Sequence, residues 1–120
     1  MRRGYFGDTG SQIHYREVAP GRDAGQPTLL CLPPSPHTGA FYGSIMPLLN
    51  ADRRVVAIDY PGYGGSDRIE DVSIAGYATA LFAMVDRFGP VDVLGFHTGN
   101  LVMAEIMAAQ PDKVRKAFFF

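Results

Sequence analysis

Gly95-Phe96-His97-Thr98-Gly99 stands between Val91-Asp92-Val93-Leu94, a short and mostly apolar run, and Leu101–Ala109, a run apolar nearly all round. A buried strand, a tight turn and a heavily buried helix account for the three pieces in order. Gln110-Pro111-Asp112 stops the helix, and Val114–Phe120 follows, its last part Ala117–Phe120 reading as a sixth strand. Working backwards, Ile74, Tyr77, Leu81, Val85 and Phe88 recur at three- and four-residue steps, so Ser73–Phe88 is expected as one amphipathic helix. Asp71 or Ser73 can cap it, and Gly89-Pro90 ends it. Thr28–Leu32 and Arg54–Ile58 are short apolar runs that fit strands buried on both faces. Between them Phe41–Leu49 has helical spacing made irregular by Pro47. At the start, Tyr5–Gly7 and Gln12–Val18 flank Asp8-Thr9-Gly10, a hairpin signal, with Ile13 and Tyr15 on the one covered face.

The order is thus an antiparallel strand pair, then β-α-β-α-β-α-β. Alternation of that kind predicts the α/β class: a mostly parallel sheet with helices on both faces.

Composition narrows the function. The chain has 120 residues, 47% of them hydrophobic, with 11 Lys and Arg against 12 Asp and Glu and a net charge of −1. A basic excess of the kind that binds nucleic acid or anionic membrane is missing, so neither partner is expected. Apolar content is too high for disorder. No run of about 18 apolar residues exists, so no transmembrane helix is expected. Met1-Arg2-Arg3-Gly4-Tyr5 has a basic pair without an apolar run behind it, which predicts neither a Sec nor a twin-arginine signal. Cys31 is the single cysteine, which excludes an internal disulfide and a cysteine-cluster metal site. A soluble cytoplasmic protein with no cofactor and no metal is the expectation.

The five residues 95–99 fit the pattern of a nucleophile elbow, G-x-S-x-G, with His97 at the centre. Such a turn holds its central residue at positive φ. The residues two before and two after face close backbone, which Gly95 and Gly99 allow. Three further segments agree. Asp59-Tyr60-Pro61-Gly62-Tyr63-Gly64-Gly65-Ser66-Asp67 is similar to a D-x-P-G-x-G-x-S segment. Leu29–Pro36 stands where a strand would run into an oxyanion loop. Gln110-Pro111-Asp112-Lys113-Val114 is similar to a P-x-x-V joint. Together, and in this order, they resemble the α/β-hydrolase family over essentially the whole chain and the first half of that family's domain. The resemblance implies the strand order 1-2-4-3-5-6, with residues 1–120 the N-terminal part of a single domain cut after its sixth strand. The length then reads as a little under half of a domain rather than a whole one.

The departures from the family carry the functional argument. His97 replaces the usual Ser, Asp or Cys, so a hydroxyl nucleophile activated by a distant histidine cannot form there. Pro33-Pro34 replaces the His-Gly of the oxyanion loop. Ser35 still aligns with the donor position, and Thr98 would supply the second oxyanion-hole N–H. After His97 the only acids are Glu105 and Asp112, and there is no further histidine. A neutral imidazole at His97 could act as base, donor or nucleophile. The plainer reading is a site that has lost acyl transfer and only binds.

His37, just past the oxyanion loop, is a candidate pocket residue against the plainer reading of an exposed loop histidine. His14 reads as structural, Asp59 and Asp67 as turn-shaping carboxylates, Met103 and Met107 as core, and Cys31 as an inert buried hydrophobe. Thr98 as a nucleophile is disfavoured because the elbow aims its central residue, not the next, at the pocket. The expectation is therefore a cofactor-free hydrolase of small ester, amide or epoxide-type bonds, inactive as this chain. The alternative is a non-catalytic ligand-binding protein on the same scaffold. A small molecule is the expected partner. Self-association through the aromatic C-terminal edge strand is expected as well.

Overall fold

Side chains alternate along strands, and here that alternation divides the core in two. A computed structural model describes residues 1–120. Its strands are β1 (Arg2–Phe6), β2 (Ile13–Val18), β3 (Leu29–Leu32), β4 (Val55–Ile58), β5 (Val91–Gly95) and β6 (Val114–Phe119). Leu30 and Leu32 of β3, Val56 and Ile58 of β4, and Val91 and Val93 of β5 face a larger apolar cluster. Leu29, Cys31, Val55 and Ala57 face a smaller one on the other side. Because β3 and β4 are apolar at every position, both faces had to be covered.

The helices do so. α2 (Ile74–Ala80), α3 (Phe82–Phe88) and α4 (Thr98–Ala109) pack on the larger cluster. A 3₁₀ turn at Gly39–Tyr42 and the short α1 (Met46–Leu49) set Tyr42 and Met46 on the smaller. The sheet runs β1-β2-β4-β3-β5-β6, the order implied by the family resemblance. β1, β2 and β4 pair antiparallel in turn, and β4-β3-β5-β6 are parallel.

Several boundaries differ from the sequence reading, each for a local reason. The single helix expected over Ser73–Phe88 is two, broken at Leu81. Thr79 Oγ1 donates to the Ala75 carbonyl, a back-bond that bends helices. The break lets both pieces turn apolar residues, from Tyr77 through Val85, into one core. Of the two candidate caps Ser73 is the one used, accepting the Gly76 N–H at 3.1 Å, while Asp71 holds the Ser73 hydroxyl. The Phe41–Leu49 helix is likewise split by a turn into the 3₁₀ segment and α1.

The helix after the turn starts at Thr98, and it is not buried all round: Leu101 is 58% exposed. Only Gly99, Val102, Met103 and Ile106 face the sheet, because a helix lying on one side of a sheet has one inner face. β2 is covered on both sides, since the 59–67 turn buries His14 as well as Ile13.

One buried charge was not anticipated. Asp92 is fully buried in β5, taking bonds from Arg53 Nη1 at 2.9 Å and from Arg115 Nη2 at 2.8 Å and Nε at 3.0 Å. An irregularity in the β5–β6 pairing beside Asp92 leaves Arg115 free to reach it. The Arg115 hydrogen bonds, then Arg53, hold the Asp92 carboxyl below the usual range against the opposing effect of burial.

Candidate active site

β3, β4 and β5 all deliver their carboxyl ends to one rim of the sheet, the side where open α/β sheets place ligand sites. Phe96 and His97 form the turn from β5 into α4. His97 lies at φ 53°, ψ −113°, the one non-glycine residue with positive φ. That backbone costs about 1–3 kcal/mol and persists only where neighbours over-determine it. Close packing on both sides does so. A Cβ on Gly95 would come 2.8 Å from Asn100 Oδ1 and 2.9 Å from the Gly99 backbone. A Cβ on Gly99 would overlap the Leu32 carbonyl oxygen. Strand β3 and helix α4 therefore meet without a side chain between them.

The imidazole of His97 is exposed at this rim, edge-on to the Phe96 ring at 4.4 Å between centroids. A relay of ring contacts continues from Phe96 to Phe41 at 5.4 Å and from Phe41 to His37 at 5.4 Å. The structure thus brings His37 into the same aromatic row as His97, although both are solvent-exposed.

Ser35 also arrives at the turn. Its N–H donates to Thr98 Oγ1 at 3.3 Å, so the amide expected to serve an oxyanion is met by the Thr98 hydroxyl. Below the turn, Phe41, Tyr42, Ile45, Leu49, Leu94 and Phe120 line a purely apolar groove of about 380 Å³.

Neither Asp59 nor Asp67 bonds His97. Asp59 Oδ1 accepts the Gly39 N–H at 2.8 Å. Its Oδ2 accepts the Gly65 N–H at 3.0 Å and bonds His14 Nδ1 at 2.9 Å. Asp67 Oδ2 accepts the Gln12 N–H at 2.8 Å. Both shape turns, and His14 is a core histidine satisfied by a carboxylate. Burial alone pushes the Cys31 thiol up to about 12, consistent with an inert side chain. Glu105 and Asp112 are exposed on and after α4. No three His, Cys, Asp or Glu side chains converge as a metal site would require.

The sequence reading passed over Asn100 and three tyrosines. Asn100 Nδ2 donates to the Phe120 carbonyl at 2.6 Å, tying the end of the chain to the turn. Tyr42 and Tyr60 each donate to a backbone carbonyl just before Ser35, and the Tyr63 hydroxyl bonds Ser35 Oγ. An aromatic with a polar tip inside an apolar segment was the available signal.

Sheet order, crossover pattern and turn together define the α/β-hydrolase fold. Solved structures bear this out. An N-acyl homoserine lactonase matches with a TM-score of 0.86 and 22% identity, over 99% of this chain and 45% of its own. An α/β hydrolase from Novosphingobium aromaticivorans matches at 0.86 and 23%, over 98% and 43%. A haloalkane dehalogenase variant from Bradyrhizobium elkanii matches at 0.84 and 25%, over 98% and 39%. Among curated proteins, a pimeloyl-acyl-carrier protein methyl ester esterase from Neisseria meningitidis is 38% identical over 74 residues, 62% of this chain and 28% of the esterase. The chain thus spans less than half the length of these relatives. No family model matches the sequence. No helix is long and apolar enough to cross a membrane.

Proposed function

We propose that this protein is a cofactor-free hydrolase-fold protein for small ester, amide or epoxide-type bonds, with Gly95–Gly99 as its nucleophile elbow. The observation that carries this reading is the positive φ of His97 at the carboxyl end of β5, directly before a twelve-residue helix. Ser35 and Thr98 are the oxyanion-hole amides in this reading, and the esterase and lactonase among its relatives agree with the bond class. Cytoplasmic residence belongs to the same proposal and is supported by the balanced charge and the single, buried, free Cys31.

An imidazole cannot replace the hydroxyl of a serine-type triad. These 120 residues are therefore proposed to be inactive alone. A panel of short-chain esters, lactones and epoxides is expected to show no turnover by the purified chain above that of His97→Ala. Turnover abolished by His97→Ala would instead make His97 catalytic and overturn the proposed inactivity. Turnover equal in both proteins would remove His97 from any role.

The second reading, a non-catalytic ligand-binding protein, is favoured by the apolar groove beside Gly95 and Phe96. It predicts saturable binding of an apolar acyl compound without turnover.

Self-association is part of the proposal. β6 is the sheet's last strand, and Phe118, Phe119 and Phe120 are 43%, 54% and 67% exposed. An apolar edge without proline or inward charge at its carboxyl end invites pairing. Sedimentation at micromolar concentration is expected to give dimers or larger species, and Phe119→Lys to shift them toward monomer. A monodisperse wild-type monomer would end this idea.

A further inference from the structure

The segment Leu32–Ser35 has an unusual set of restraints. It carries Pro33-Pro34, which have no N–H to donate, and it runs directly into the Ser35 amide. The carbonyls of Leu32, Pro33 and Pro34 are nevertheless all satisfied. Tyr42 Oη donates to the Leu32 carbonyl at 2.7 Å, and Tyr60 Oη to the Pro33 carbonyl at 2.7 Å. The Pro34 carbonyl accepts the His37 N–H at 2.8 Å. The Tyr63 hydroxyl bonds Ser35 Oγ at 3.3 Å. Three phenols from two other segments thus grip a strap of four residues. They come from the 3₁₀ turn (Tyr42) and from the turn after β4 (Tyr60 and Tyr63).

The grip is itself anchored. Tyr42 is 3% and Tyr60 0% exposed, and Tyr60 stacks on Tyr77 at 5.3 Å. Asp59, next to Tyr60, holds the Gly39 N–H at the start of the 3₁₀ turn, so both tyrosine-bearing segments are tied together. Burial raises the pKa of both buried phenols, which keeps them as donors across the neutral range.

We infer that Tyr42 and Tyr60, aided by Tyr63, are positioning residues that hold the Ser35 N–H against the turn at His97–Thr98. The clamp does for a proline-bearing strap what backbone N–H bonds would do for an ordinary loop. The inference rests on the reading of Ser35 as an oxyanion donor for its functional meaning, but its geometry can be tested without any activity. The rival account is that Pro33-Pro34 stiffen the strap by themselves; proline fixes φ but leaves ψ free.

Nuclear magnetic relaxation of the 120-residue chain separates the two. The Ser35 amide is the first after the prolines and reports on the strap directly. In the wild type its order parameter is expected near 0.85, with a cross-peak to Thr98, and in Tyr42→Phe/Tyr60→Phe it falls toward or below about 0.6 with loss of that cross-peak. Amides of Val56 and Val93 in the sheet stay unchanged, as does Ser35 in the control Tyr15→Phe. An unchanged Ser35 order parameter and cross-peak in the double variant would overturn the clamp. Should the double variant not fold, Tyr63→Phe at the exposed bond to Ser35 decides. A fall at Ser35 confined to the strap supports the clamp, and no fall overturns it. If the chain shows turnover, Tyr60→Phe is expected to lower kcat about tenfold with KM unchanged; equal losses in both would contradict positioning. Absence of turnover, the result expected of these residues alone, leaves the relaxation result to decide the clamp by itself.

Discussion

Replacing Gly99 by alanine is expected to destabilise the chain by about 3 kcal/mol, the upper end of the cost of overpacking. The reason is where the new methyl group would sit. It would overlap the Leu32 carbonyl oxygen and lie 3.0 Å from the Leu32 carbonyl carbon, both main-chain atoms. A side chain could rotate away; a strand in the middle of a sheet cannot, because Leu32 is fully buried and paired to Gly95. The alternative is for α4 to lift, which would uncover Val102, Met103 and Ile106, each fully buried now. Urea unfolding measures the effect: with a slope of about 1–3 kcal/mol/M the midpoint should fall by at least about 1 M. A loss under about 1 kcal/mol would mean that β3 and α4 do not meet as described. The same variant should release the positive φ at His97, since Gly99 is one of the two contacts that hold it.

Asp59→Ala should be costlier still, about 3–5 kcal/mol, because it strands several buried donors at once. Asp59 is 1% exposed and accepts from the Gly39 N–H, the Gly65 N–H and His14. His14 is itself only 6% exposed. Bonds to a charged acceptor contribute about 1.5–3 kcal/mol each, and they share one carboxylate, so the total falls short of their sum. At about 3–6 °C per kcal/mol, between the values for smaller and larger domains, the melting temperature should drop by roughly 10–30 °C. Asp59→Asn keeps one acceptor and should fall between the two proteins. Wild-type stability in Asp59→Ala would show that Asp59 carries none of this weight. Because the Gly39 bond also anchors the tyrosine-bearing turn, the variant should loosen the strap before Ser35 as well.

The apolar runs at Leu29–Leu32 and Val55–Ile58 could only be strands covered on both sides, and that was legible before any coordinates. So were a cap at Asp71 or Ser73 and the small residues at Gly95 and Gly99, because each depends on chemistry within a few residues of chain; the choice of Ser73 was the structure's. The break at Leu81 was not legible. Periodicity runs straight through it, and only the back-bond from Thr79 and the shared core decide that two short helices serve better than one. The exposed face of α4 was misread for a related reason. Leu101 and Ala104 are apolar, and their exposure follows from which side of the helix the sheet lies on.

His97 could be read from sequence as the central residue of a strained turn, since its glycine neighbours and flanking elements are local features. Its surroundings could not. Ser35 bonds Thr98 across 63 positions, His14 meets Asp59 across 45, and Asp92 meets Arg53 across 39. Such pairings depend on the order β1-β2-β4-β3-β5-β6, which no single segment specifies. Sequence alone therefore determined the kinds of element, the two-sided sheet and the turn at residues 95–99, because propensity, burial period and glycine spacing are short-range. Tertiary structure alone decided which hydroxyls grip the strap before Ser35 and which groups the Asp59 carboxylate holds. Those contacts exist only once distant segments have been brought to one rim.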